Sequence, residues 1–520
     1  MNVIPLVIIL LMLFPCRAND DDVNTALAKE HETATVHFFN HLIKTNDPDI
    51  AELTMALKMM PKGGDIHIHY SGAIYAETYL DWVGNKKYCI YDRSDPKLNI
   101  EIFQIETRRK NQIPQENRPF CLDKYAVIAN NAFYRKLLAA WSNKDFYSHY
   151  HTQKAPDQQF FDTFNYLRPL SQQILMDGIA QLKKRAKYEN VQYLEIMLKK
   201  APSFQYPDLA KALDALDPDA DENRVFAALK PYADFMAKDS LVAKGIYDYI
   251  QTEEAAISGM DDDKFRIRLQ SYAVRNTPRA TVFSSLYSAF SAAHASKKIV
   301  CVNIVGPEDG YIAMRDYKLY MLMFRYLKRL FPDVHISLHA GELVSGMIPP
   351  EGLANHIRYA VDIAGANRIG HGVDVAMETN ALTLLQALRE KDIPIEINLT
   401  SNDFILGVKG KAHPIKLYQR YGVPFVISSD DPGVSRSDLT HEFLIFAINY
   451  KPSYTDIKKI VFNSIRYSFL PPKEKLAELQ DLQSRFLIYE SDIAKIEKTV
   501  HKSAHTPRHQ GHFGCLMRLP

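Results

Sequence analysis

Residues 60–69 read Met60-Pro61-Lys62-Gly63-Gly64-Asp65-Ile66-His67-Ile68-His69. Positions 65–69 have the alternation of a β-strand, in which side chains two residues apart share a face. His67 and His69 therefore point to one side. Seven further β-branched runs follow, at 191–197, 265–274, 299–306, 335–339, 368–371, 393–399 and 424–429. Between the later ones, 317–330, 353–364, 381–391 and 415–421 carry apolar residues at helical spacing. Eight strands alternating with helices predict one α/β domain, a (β/α)₈ TIM barrel over 61–500.

Around that barrel the chain divides further. Residues 19–60 contain helix formers with Phe38, Phe39, Leu42, Ile43, Leu53, Met55 and Leu57 at helical spacing, an N-terminal helical extension. Residues 86–150 show no clear period and read as an inserted lobe after the first strand. Segments 455–470 and 473–500 read as helices outside the barrel. The tail 501–520, with His501, His505, His509 and His512, reads as a solvated, flexible terminus rather than a metal trap.

Composition narrows the class of function. The 520 residues are 47% apolar and 24% charged, ordinary for a soluble globular protein. Lysine plus arginine number 63 against 61 acidic residues, a net charge of +2. That balance provides no strong field for nucleic acid or anionic lipid and favours a small-molecule or protein partner. Residues 1–18, apolar from Val3 to Phe14 and closing on Cys16-Arg17-Ala18, read as a signal peptide cleaved after Ala18. The expected product is secreted or periplasmic, free of the membrane once processed; tethering through Cys16 is the other possibility. Five cysteines are few. Cys89 and Cys121 share the inserted lobe, where an oxidising compartment would let them pair. Cys301, in an apolar run, reads as a buried inert thiol.

The chemistry concentrates at strand ends, which in a parallel barrel converge on one face. His67 and His69, aimed inward from one strand, suit a divalent metal or else serve as core residues. Ser337-Leu338-His339-Ala340-Gly341-Glu342 offers a third imidazole and a carboxyl in the loop above it. A carboxyl beside a low-dielectric pocket holds its proton near neutrality and can deliver it. In Arg368-Ile369-Gly370-His371-Gly372 the flanking glycines allow close approach to His371, which could orient or deprotonate a water or stabilise an oxyanion. In Ser428-Ser429-Asp430-Asp431-Pro432 the adjacent carboxylates point in different directions and so take separate duties, one toward a metal and one toward a ligand. By itself that run is also a common turn. Three imidazoles and one carboxylate leave room on a cation for a water made acidic by it.

These four segments together resemble the adenosine deaminase family of zinc amidohydrolases over roughly residues 55–470. The resemblance implies one zinc per chain, held by His67, His69, His339 and Asp430. It implies that Glu342 protonates purine N1 while zinc-bound hydroxide attacks C6, with His371 positioning the hydroxide and Asp431 holding both hydroxide and ring. Adenosine, and 2′-deoxyadenosine with it, would yield inosine-type products plus ammonia. Gly306, in Val305-Gly306-Pro307-Glu308-Asp309, matches the glycine whose N–H meets purine N3. The chain is most similar to the secreted, growth-factor-type members, which implies a homodimer built by the N-terminal helices and a disulfide in the insert. Ser71 stands where the family places an aspartate for the ribose 5′-hydroxyl, and it retains a hydroxyl for hydrogen bonding. The stretch 158–164 resembles the family's lid helix; Phe161 and Phe164 there either cover the substrate or belong to the core. Strand four ends Asn303-Ile304-Val305-Gly306 without the lysine of two-metal relatives, so a single metal is expected. The glycosylation triplet Asn398-Leu399-Thr400 is expected inside the seventh strand. Rival readings keep the site but change the substrate to another aminopurine or modified nucleoside, or keep the barrel as an extracellular binding protein.

Overall fold

The computed structural model describes residues 20–45, 47–148 and 154–504. The expected signal peptide, Cys16, Cys515 and the tail histidines 505, 509 and 512 lie outside these residues. Eight parallel strands follow one another in space in their chain order. They are β1 (Gly63–His69), β2 (Val191–Lys200), β3 (Arg266–Val274), β4 (Ile299–Val305), β5 (His335–Ala340), β6 (Arg368–His371), β7 (Ile395–Ile397) and β8 (Phe425–Ile427). The ring closes just past β8. The Asp430 N–H donates to the His67 carbonyl at 3.0 Å, and the His69 N–H donates to the Asp430 carbonyl at 3.0 Å. The fold is a (β/α)₈ barrel.

Strand ends differ modestly from expectation. β7 and β8 are shorter than their apolar runs because the chain leaves the sheet as soon as the site begins. Asn398 consequently sits beyond β7, at the head of the helix Leu399–Leu406, and not inside the strand. Its side chain is 1% exposed, which closes it to a glycan. The expected helix over 353–364 starts only at His356, runs as an α turn to Tyr359 and passes directly into a π turn over Ala360–Ala364, with the His356 ring bonding Glu308 at 2.6 Å.

Helices α1 (Asp20–Ile43) and α2 (Ile50–Met59) form the N-terminal extension. Asp49 caps α2 by accepting from the Glu52 N–H at 2.9 Å. Between β1 and β2, α3 (Pro156–Ser171) crosses the top of the barrel. At the C-terminus come α4 (Tyr454–Arg466), packed against β1 and β8, and α5 (Pro472–Ala504). α1 lies along α5, with Lys498 bonded to Glu30 at 3.0 Å and Lys458 of α4 bridging Glu32 at 2.9 Å and Glu490 at 2.6 Å. α5 runs four residues into the expected tail, ending at Ala504.

The inserted stretch is more regular than its sequence suggests. Cys89–Tyr91 lies between Ile105–Glu106 and Cys121–Leu122 in a three-stranded antiparallel sheet, and the helices Lys124–Ala129 and Asn131–Ala140 follow. Cys89 and Cys121 form a disulfide at the centre of a small core with Tyr91, Ile100 and Ile113. Strands of two or three residues are too short to show a period. Cys301 is fully buried, and burial pushes its thiol pKa well up.

Candidate active site

At the C-terminal rim of the strands the expected residues meet. Nε2 of His69 is 3.1 Å from Nε2 of His339, and Asp430 Oδ1 is 3.3 Å from Nε2 of His69 and 3.5 Å from Nε2 of His67. The ring centroids of His67 and His339 are 4.5 Å apart. Asp430 and His371 both have left-handed backbones, φ 59° and 67°, a conformation that Asp and His adopt more readily than bulky residues and that turns both side chains inward.

His371 also reaches the cluster, its ring centroid 5.0 Å from that of His67. Hydrogen bonds sort three of these four histidines into roles. His67 Nδ1 faces Glu396 Oε2 at 2.6 Å, and His339 Nδ1 faces Asn303 Oδ1 at 2.9 Å. Both partners are acceptors, so each Nδ1 carries a proton and each Nε2 is free to bind a metal. His371 is the reverse. Its Nδ1 faces Asn402 Nδ2 at 3.0 Å, while Asn402 Oδ1 is engaged by His413 at 3.2 Å. His371 Nδ1 accepts, which leaves its neutral ring with an N–H at Nε2, suited to a substrate or water rather than a cation.

A single divalent ion fits the remaining set. Nε2 of His67 is buried without a hydrogen-bond partner, which calls for a ligand. Burial opposes charge on His67, yet Asp430 and Glu396 outweigh it and lift its pKa to about 10. The pocket thus favours positive charge at this point, which a metal supplies as well as a proton does. Three imidazole nitrogens and a carboxylate oxygen are a donor set that zinc accepts.

The carboxyl groups are divided by the same field. Burial first, and Asp430 second, raise the pKa of Glu342 well above the usual carboxylate range, and Asp431 is raised by the same two causes. Asp430 goes the other way: burial disfavours its charge, but the His67 imidazole 3.5 Å away prevails and holds its pKa low. The same surroundings thus favour the ionised form of Asp430 and the protonated forms of Glu342 and Asp431. The Glu342 and Gly341 N–H groups donate to Glu308 at 2.9 and 3.1 Å, which sets the loop height.

A cavity of about 720 Å³ opens over this cluster and is lined by Glu342, His371, Asp430 and Asp431. Ser71 and Gly306 lie on its wall, Gly306 at φ 104°. One face of α3 roofs it with Phe160, Phe161 and Phe164. Phe161 and Phe164 are half-buried, lining the cavity while packing against the core. Gly370 and Gly72 have a packing reason. A Cβ on Gly370 would stand 2.7 Å from His67 Cε1, and one on Gly72 would collide with the Asp431 carboxyl. Gly370 therefore makes room for His67.

Sequence reading missed the residues that orient the histidines, Glu396, Asn303 and Asn402, and also Glu308, which holds the Glu342 loop. A signal for two of them existed. Glu396 is the centre of Ile395–Ile397, and Asn303 interrupts the apolar β4; a lone polar residue in a fully buried strand points into the barrel.

Comparison with known proteins agrees with this geometry. The family model described as adenosine deaminase matches residues 212–484. That span contains Gly306, His339, Glu342, His371, Asp430 and Asp431, while His67, His69 and Ser71 lie before it and join them through barrel closure. An Escherichia coli adenosine deaminase is 38% identical over 181 residues, 35% of this chain and 49% of that one. An Aliivibrio fischeri adenosine deaminase is 31% identical over 189 residues, 36% of this chain and 51% of that one. The chain thus spans about half the length of these relatives. Among solved structures, an Arabidopsis N6-mAMP deaminase matches with a TM-score of 0.50 at 17% identity, over 84% of this chain and 99% of that one, a likeness of fold. With the family model covering more than half of the sequence, and the barrel and its rim built as described, the chain belongs to the adenosine deaminase family.

Proposed function

We propose that this protein is a zinc-dependent hydrolase that deaminates adenosine, and 2′-deoxyadenosine with it, to inosine-type products and ammonia. The observation that carries the reading is the meeting of His67, His69, His339 and Asp430 below a cavity that also presents Glu342 and Asp431. One zinc held by those four residues would supply Lewis acidity and an acidified water.

The chain's own groups do the rest. Glu342, kept protonated by burial, gives its proton to purine N1, which makes C6 electrophilic. His371 directs its Nε2 N–H at the oxygen arriving at C6. Asp431 holds the purine ring edge, and Gly306 gives it a close backbone approach. The phenylalanines of α3 keep water from the base. Export and a homodimer through α1 and α2 belong to the same proposal. The Cys89–Cys121 disulfide supports an oxidising compartment, and the exposed Leu27, Ile50, Met55 and Met59 support a partner for those helices.

The test is a screen of aminopurines and their nucleosides with metal quantified in the same sample. Adenosine turnover with about one zinc per chain is expected, and Glu342→Gln should retain fold and zinc while losing turnover by several orders of magnitude. A zinc-loaded protein inactive on adenosine but active on another aminopurine would move the substrate. An active Glu342→Gln would remove the proton-donor role.

A further inference from the structure

The cavity carries charge that the chemistry above leaves unused. Lys199 and Lys200 end β2, Arg168 lies on α3 across from them, and all three line the same cavity as Glu342 and Asp431. Lys199 is half-buried, while Lys200 and Arg168 reach solvent at the cavity's edge. Among the described residues none of the three has a carboxylate at ion-pair distance. Glu253, whose carboxyl feels the charge of Lys199, is fully buried without a hydrogen-bond partner, and burial raises its pKa well above the usual range. Asp162, on the same wall, is taken by Lys154 at 2.5 Å. Three like charges without a counter-ion, facing one concavity, raise the local concentration of anions. The Ser71 hydroxyl and the Gln172 amide on that wall add uncharged donors.

Position gives the anion its place on the substrate. With the purine edge at Glu342, Asp431 and Gly306, the sugar of a nucleoside extends from the metal end toward the rim, where the cations stand. We infer that the cavity takes a purine nucleoside 5′-monophosphate, its base at Glu342 and its phosphate at Lys199, Lys200 and Arg168. This rests on the deaminase reading and names its substrate class more narrowly. The reaction is otherwise unchanged: water adds at C6, ammonia leaves, and the phosphate ester stays intact.

The experiment compares kcat/KM for AMP and adenosine with zinc-loaded full-length protein at low and moderate salt. AMP should be preferred by about tenfold or more, an advantage that shrinks with salt. The triple variant Arg168→Gln, Lys199→Gln, Lys200→Gln should lower the AMP-to-adenosine ratio by at least about tenfold. In the unmodified protein, inorganic phosphate should inhibit AMP deamination competitively, a measurement that needs no variant. Adenosine turnover without preference for AMP, an unchanged ratio in the triple variant, or no inhibition by phosphate would each overturn the inference and leave the deaminase reading standing. Failure to deaminate either substrate with zinc bound would defeat both.

Discussion

Glu396 accepts the Nδ1 proton of His67 at 2.6 Å, and neither side chain is exposed to solvent. The carboxylate is itself held by Arg368 Nε at 2.5 Å and Ser337 Oγ at 2.9 Å, and Arg368 continues to Glu195 at 2.6 Å. Burial works against the charge of Glu396, but Arg368 dominates and keeps its pKa near about 2. A fixed negative charge behind a ligand imidazole orients the ring and strengthens Nε2 as a donor.

Glu396→Gln should therefore weaken metal binding by about 10- to 100-fold while the barrel still folds. Competition with a chelator, followed by metal analysis and far-UV circular dichroism, measures both. Unchanged affinity would mean that the charge behind His67 has no part in holding a cation.

Gly370→Ala should reduce metal content with little loss of secondary structure. The new Cβ would lie 2.7 Å from His67 Cε1 and 3.5 Å from the His339 Cα, and His67 cannot retreat without breaking its bond to Glu396. Overpacking of this kind costs about 1–3 kcal/mol. The readouts are bound metal per chain and the urea midpoint.

Glu189 supplies a pH test remote from the metal. Burial, with Asp438 adding, lifts its pKa to about 7, and its Oε2 accepts the Leu439 N–H at 3.0 Å. The folded state thus holds a proton that the unfolded chain releases at its ordinary pKa of 4.5. The stabilisation is fully present below that value and is lost as pH rises through about 7. Glu189→Gln should flatten this fall by up to roughly 3 kcal/mol. Denaturant unfolding at about pH 5 and about pH 8 checks it; equal slopes in both proteins would mean that Glu189 does not retain its proton on folding.

The Cys89–Cys121 bridge closes a loop with a sequence separation of 32. Cys89→Ala with Cys121→Ala should cost about 2–5 kcal/mol, concentrated in the inserted lobe. Hydrogen exchange should quicken at Ile90, Ile105 and Leu122 while the strands around His67 stay protected. Loss of protection throughout the barrel would show that lobe and barrel unfold as one.

Loading with zinc should raise the midpoint of thermal unfolding, and chelation should reverse it, because an ion bound only by the folded chain stabilises it by an amount that grows with the logarithm of its concentration over its dissociation constant. The shift should vanish in His67→Ala. A midpoint independent of zinc would contradict a site built from these residues.

What the residues alone determined was periodic and local. Alternating runs located all eight barrel strands, and because parallel strands deliver their ends to one rim, His67, His69, His339 and Asp430 could be assembled before any coordinates. The helices of the insert, the π turn over Ala360–Ala364 and the end of β7 before Asn398 escaped, since short-range periodicity does not record them. Tertiary structure alone decided which nitrogen of His67, His339 and His371 carries the proton, that Asp430 is pushed toward ionisation and Asp431 away from it, and that Lys199, Lys200 and Arg168 face the same cavity as Glu342. His67 and Glu396 are 329 residues apart. Periodicity says which way a side chain points, but its protonation is set by the acceptors and charges that the closed barrel brings within 3 Å or so of it.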